Sequence, residues 1–166
     1  MNKRLVFFIF STAVSFCIAF QVVAVTAVGT VNVEVVRFLT LVNTNGLEFG
    51  KVSVSGAAGT VVITPDGNRY ATGGAAVDPA DYFAPASFII QGRPNESFVV
   101  QLPDSLEIFD ENGNKIIIED FSSNAQQGNL DGSGDAEIMI GGKLNLDPNQ
   151  PSGSYNGTLV IDVHYS

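Results

Sequence analysis

From Val31 onward, apolar residues recur at every second position and never for long at the 3.6-residue spacing of a helix, so the pattern predicts strands. Val31, Val33 and Val35 alternate with Asn32 and Glu34, and residues 38–42 extend that strand until Asn43-Thr44-Asn45-Gly46 turns the chain. Residues 47–52 and 59–64 follow as strands, the second stopped by Pro65-Asp66-Gly67-Asn68. Residues 87–91 and 97–102 are short strands separated by Gly92-Arg93-Pro94-Asn95, and Phe98, Val100 and Leu102 share a face. Residues 106–109 and 115–121 flank Asn112-Gly113, a pair suited to a tight hairpin because both positions tolerate positive φ. Residues 124–134 read as a polar, glycine-rich loop. Residues 136–140 and 143–146 read as two strands broken at Gly141-Gly142 by a bulge or sharp bend.

The chain ends on its clearest pattern. Residues 153–166 read as one strand in which Leu159, Ile161, Val163 and Tyr165 fall two apart and share a face, while Thr158, Val160, Asp162 and His164 point the other way. Burying four such side chains contributes roughly 1.5–3 kcal/mol each, about 6–12 kcal/mol together, comparable with the whole net stability of a domain. Such a strand is either covered within its own sheet or handed to another protein. The stretch through Val31, Val33 and Val35 is the candidate to pair with it. Eight to ten short strands with frequent turn signals predict an all-β, antiparallel two-sheet sandwich, with a closed barrel as the alternative.

Before Val31 the pattern changes. Lys3 and Arg4 precede a largely apolar run at 5–19 and a small-residue site at Val25-Thr26-Ala27, the order of parts in an export signal. Residues 1–27 are therefore expected to form a cleaved signal helix and residues 28–166 a single sandwich domain; Ala24 and Ala19 are alternative cleavage points. This predicts an exported protein of the periplasm, cell surface or extracellular space, with no stable membrane insertion once the signal is removed. The one cysteine, Cys17, lies inside the signal behind Phe16, which does not suit lipid attachment, so the mature chain forms no disulfide.

Charge narrows the partners. Without Lys3 and Arg4, six basic residues face seventeen acidic ones, a formal charge of −11. Such a surface repels nucleic acid and anionic headgroups.

The inventory of reactive groups is short. His164 is the only histidine, and it sits beside no Gly-x-Ser-x-Gly turn, so neither a His/Cys metal cluster nor a cysteine or serine triad is expected. Neither Gly73-Gly74 nor Gly141-Gly142 leads into a helix that would hold a phosphate. Two acidic loops, 110–114 and 131–135, place oxygen ligands at alternate positions. In the first, however, Lys115 stands where a helix-loop-helix calcium site needs glycine and Phe121 where it needs glutamate. Tyr70, Tyr82 and Tyr155 are the aromatic residues in or near loops that a sugar could stack on. No catalytic residue and no cofactor is expected. The favoured reading is a non-catalytic structural subunit, and the alternative is a self-complete secreted module binding carbohydrate or calcium.

Several phrases combine into a resemblance: Leu47-Glu48-Phe49-Gly50, the run 59–69 ending in Arg69, Gly73-Gly74, Ala86-Ser87-Phe88 with Gly92, Leu102-Pro103, and the runs 141–146 and 149–158. In this order they resemble the bacterial secreted family called domain of unknown function 4402, over essentially the whole mature chain. The ending also resembles the pilins of the chaperone-usher pathway, with Tyr165 penultimate and Gly153 fourteenth from the end. Spore-coat-protein-U-like domains have a comparable ending. The pilin resemblance implies an immunoglobulin-like (pilin-like) sandwich lacking one strand. A periplasmic chaperone would lend that strand, and a neighbouring subunit's N-terminal extension would then replace it. On this resemblance Gly153, Leu159, Ile161, Val163 and Tyr165 form the assembly strand. Two features depart from pilins: the mature chain lacks a disulfide, and cleavage at Ala27 leaves a short extension, which cleavage at Ala19 would lengthen by the alternating Val23, Val25 and Ala27.

Overall fold

The structure, a computed structural model, describes Thr30, residues 32–35 and residues 38–166. The predicted signal segment and Val31 lie outside the described residues. In chain order the strands are β1 (Thr40–Asn45), β2 (Val52–Ile63), β3 (Arg69–Val77), β4 (Ala86–Gln91) and β5 (Ser97–Gln101). Then come β6 (Ser105–Phe109), β7 (Lys115–Ser123), β8 (Gln127–Asn129), β9 (Asp135–Leu146) and β10 (Asp162–Tyr165). Every pairing is antiparallel, and no helix occurs among the described residues.

The twelve residues of β9 organise the larger sheet. One edge of β9 pairs first with β4, Asp135 opposite Gln91 through Ile140 opposite Ala86, and then with β2, Gly142 opposite Ile63 through Leu146 opposite Gly59. The other edge pairs with β7, which carries β6. β1 and β3 continue the sheet outward from β4 and β2, giving seven strands.

Gly141 sits where β4 gives way to β2. A Cβ there would lie 2.1 Å from the Ile63 carbonyl oxygen, so only glycine fits against the end of β2. The two expected strands on either side of Gly141-Gly142 are thus one strand, and the glycines allow close approach where a break was expected.

β10, β5 and β8 form a second sheet of three strands. It covers a core of Ala86, Phe88, Ile90, Phe98, Val100, Leu130, Ile138 and Ile140, between β5, β8, β10 and the upper halves of β4 and β9. A second core of Phe49, Val61, Ile63, Ile108, Ile116, Ile118, Leu144 and Leu146 fills the other half, around β2, β6, β7 and the lower half of β9. The result is an all-β antiparallel sandwich in which seven strands face only three.

Two expectations are corrected. The strand through Val33 and Val35 is absent: both residues lie outside any strand, 83% and 89% exposed, and the first strand begins at Thr40. Alternation makes a segment able to form a strand, but a strand forms only where another backbone satisfies it. Conversely, β3 escapes the apolar pattern because Ala71, Thr72, Gly73, Gly74, Ala75 and Ala76 carry little apolar bulk. Pairing with β2 makes it a strand, and Gly59 and Gly74 pack so closely on Ala75 and Ala57 that no Cβ fits at either glycine.

Candidate functional site

The terminal run is two different things along its length. β10 takes in only residues 162–165, paired with β5 from Asp162 opposite Gln101 to Tyr165 opposite Phe98, whereas residues 157–161 belong to no strand. Ser166 N–H donates to Ser97 C=O and Val100 N–H donates to Gln126 C=O, so the backbone groups of Asp162 and His164 face β5. By the alternation of an antiparallel ladder, those of Ile161 and Val163 face the opposite edge, where no strand lies among the described residues.

Leu159, Ile161, Val163 and Tyr165 all turn toward the first core, and all four remain only partly buried. Thr158, Val160, Asp162 and His164 are exposed on the other face. Tyr165 closes the upper end, because its hydroxyl accepts the Arg93 N–H at 2.7 Å and the Arg93 guanidinium lies 4.8 Å from its ring. Gly92 leaves room for this contact, since a Cβ there would stand 2.4 Å from the tyrosine oxygen. Gly153, expected within the strand, lies instead in an exposed loop. A Cβ there would come 3.1 Å from Asp110 Oδ2.

Below Leu159 the sandwich is open. A groove of 1190 Å³ runs between residues 46–54 on one side and residues 150–159 on the other. Leu106, Ile108, Ile116, Ile118, Leu144 and Leu146 line it, an apolar surface built by alternate residues of β6, β7 and β9. At the rim stand Asn43, Glu48, Lys51, Asp81, Tyr82 and Gln150. Its volume exceeds the roughly 300–1,000 Å³ of ordinary small-molecule pockets. These residues fall in the strands expected at 106–109, 115–121 and 143–146, but nothing in their alternation shows that the second sheet stops short of them.

The two acidic loops have structural work. Asp110 is buried in the β6–β7 hairpin, where Oδ1 accepts the N–H groups of Asn112 and Asn114 and Oδ2 accepts the Asn114 side-chain amide. These bonds, led by the Asn114 side chain, hold its pKa below the ordinary carboxylate value. Asp131 repeats the device between β8 and β9: Oδ1 accepts from Asp135 and Ser133 N–H, and those bonds, Asp135 first, lower its pKa. No cluster of three metal-ligating side chains occurs among the described residues. Lys143 lies between Asp120 and Glu119, whose hydrogen bonds raise its pKa, Asp120 contributing most. Tyr70 and Tyr82 are exposed and apart from any aromatic pairing, and the Tyr155 hydroxyl donates to Pro151 C=O.

Fold and groove together define an antiparallel sandwich whose second sheet covers one core, while the other core, also buried, borders a groove beside the C-terminal run. The chain belongs to the family described as Domain of unknown function (DUF4402), whose model matches residues 39–165. Neither a curated protein nor a solved structure matches it. Some of the phrases that carried the family resemblance meet in space: Phe49 and Gly50 lie against Arg69, and Gly141 lies against Ile63 and Thr64.

Proposed function

We propose that the protein is a non-catalytic, exported structural subunit of a pilus-like or cell-surface assembly, completed by an extended segment from a neighbouring copy. The groove bordered by residues 150–159 supports this reading most. Its floor carries apolar side chains of β6, β7 and β9, its walls are polar as well as apolar, and the backbone of residues 157–159 beside it is in no strand, which suits β-augmentation, where main-chain bonds give affinity and pockets for alternate side chains give specificity. The occupant that matches within this sequence is the segment carrying Val31, Val33 and Val35, with Val33 and Val35 almost fully exposed. Burying three valines contributes about 5–9 kcal/mol, enough to hold subunits together without covalent links. A periplasmic chaperone would serve the same edge before assembly.

The test is to mix the purified exported protein with a synthetic peptide of residues 28–38 and to run the untreated protein in unheated detergent. The expected results are a peptide-dependent rise in melting temperature and a ladder of oligomers that collapses on boiling. A heat-stable monomer that ignores the peptide would sink the proposal.

A further inference from the structure

We infer that residues 47–51 form a second strand-accepting edge, across the groove from the terminal run, and that Arg69 holds this edge in receptive shape. The inference rests on the proposed strand addition and adds the surface that the C-terminal pattern does not reveal.

The segment is fastened along one side only. Glu48 exchanges two hydrogen bonds with Ala84, each 2.9 Å. In such an antiparallel bridge the N–H and C=O of the bridged residue point to its partner, so those of Leu47 and Phe49 point away from it. The Leu47 N–H and C=O and the Phe49 N–H make no backbone hydrogen bond among the described residues. Both residues line the groove. An extended peptide lying there finds donors and an acceptor on this side, across the groove from residues 150–159.

Arg69 accounts for the shape of this edge. It opens β3, on the rigid hairpin with β2, and its guanidinium lies 4.3 Å from the Phe83 ring. One Nη donates to Phe49 C=O at 2.8 Å and the other to Asp78 C=O. A planar fork serves two carbonyls of different segments at once, which a lysine ammonium on a flexible stem does not reproduce. Gly50, with φ +71°, lets the chain bend at this point, and a Cβ there would lie 2.4 Å from Tyr82 C=O and 2.6 Å from the Arg69 guanidinium. Lys51 N–H then donates to the Asp81 carboxylate, closing the outer side. These bonds fix the bend at Gly50 and leave the Leu47 N–H and C=O and the Phe49 N–H without a backbone partner among the described residues.

The experiment uses the full exported protein, wild type and with Arg69→Ala or Arg69→Lys, and the peptide of residues 28–38. Affinity is read by fluorescence anisotropy, and amide exchange is read residue by residue. In the wild type, peptide uptake should protect the Leu47 and Phe49 amides. Affinity should fall about tenfold in Arg69→Ala and be restored only in small part by Arg69→Lys. If the wild type takes up peptide while those two amides stay unprotected, or if both variants bind as tightly as wild type, the second edge is wrong and strand addition stands. If the wild type takes up no peptide, strand addition itself falls. Should Arg69→Ala fail to fold, Arg69→Lys and the wild-type exchange data decide the matter.

Discussion

The two halves of the sandwich share a strand and differ in cover. Above Gly141, β9 presents Ile138 and Ile140 to β5, β8 and β10, and both isoleucines are fully buried. Below it, the same strand presents Leu144 and Leu146 to a groove, beside Ile116 and Ile118 of β7. Both cores are rich in isoleucine, leucine and valine, and the first adds Phe88 and Phe98 where the second has Phe49. What separates them is the length of the second sheet: its three short strands reach one core and stop. A half-sandwich of this kind keeps its apolar residues shielded by narrowness, with contacts missing on one side, and that makes it both weaker and receptive.

The comparison breaks first on cavity-forming substitutions. Ile138→Ala, in the covered half, should cost about 4 kcal/mol in urea unfolding, and Ile116→Ala, on the groove, about 2 kcal/mol. With the 28–38 peptide present, the second cost should rise toward the first. Equal costs without peptide would mean that the halves are equally packed. Next, Gly141→Ala forces a Cβ against the Ile63 carbonyl at the seam and should cost about 3 kcal/mol, with faster amide exchange in both β2 and β4. Exchange confined to one half would show that the halves are not coupled through β9. Tyr165→Phe removes the acceptor for Arg93 N–H and should cost about 1 kcal/mol, loosening the covered end while leaving peptide affinity within about twofold.

The smallest effect concerns acid. Asp110 and Asp131, one at a turn in each half, both have folded-state pKa values below the ordinary value of about 3.9. Each therefore contributes stability that is present above that value and lost as pH falls through its lowered folded-state pKa. Asp110→Asn and Asp131→Asn should each lower the neutral plateau of the stability curve and flatten its acid limb. An unchanged acid limb in both variants would remove these turns from the acid response.

Much of this architecture is legible in sequence where side chains alternate. β4, β5 and the β6–β7 hairpin fall where apolar periodicity and Asn112-Gly113 put them, and the shared face of Leu159, Ile161, Val163 and Tyr165 follows from the pleat alone. The reading fails where a strand is made by its neighbour. β3 is nearly featureless because β2 supplies its pairing, and Gly141-Gly142 signals close approach in the same letters that signal a break. Val33 and Val35 mislead for the converse reason, an ideal pattern that belongs to no strand among the described residues. The rim at 47–51 is illegible because its shape is set by Arg69, a residue about twenty positions further on, through a carbonyl that carries no sequence signal.

β9 also dictates an order of events. Its partners β2, β4 and β7 all precede it in the chain, and β2 lies some eighty residues upstream. Contacts so distant in sequence make for slow folding, because the loops must close before any pairing rewards them. While the chain emerges from its N-terminal end, three strands wait with open edges for one that arrives in the last fifth of the sequence. A chain truncated before Asp135 has hairpins but no centre, and the period before β9 docks is when the chain is most exposed to aggregation.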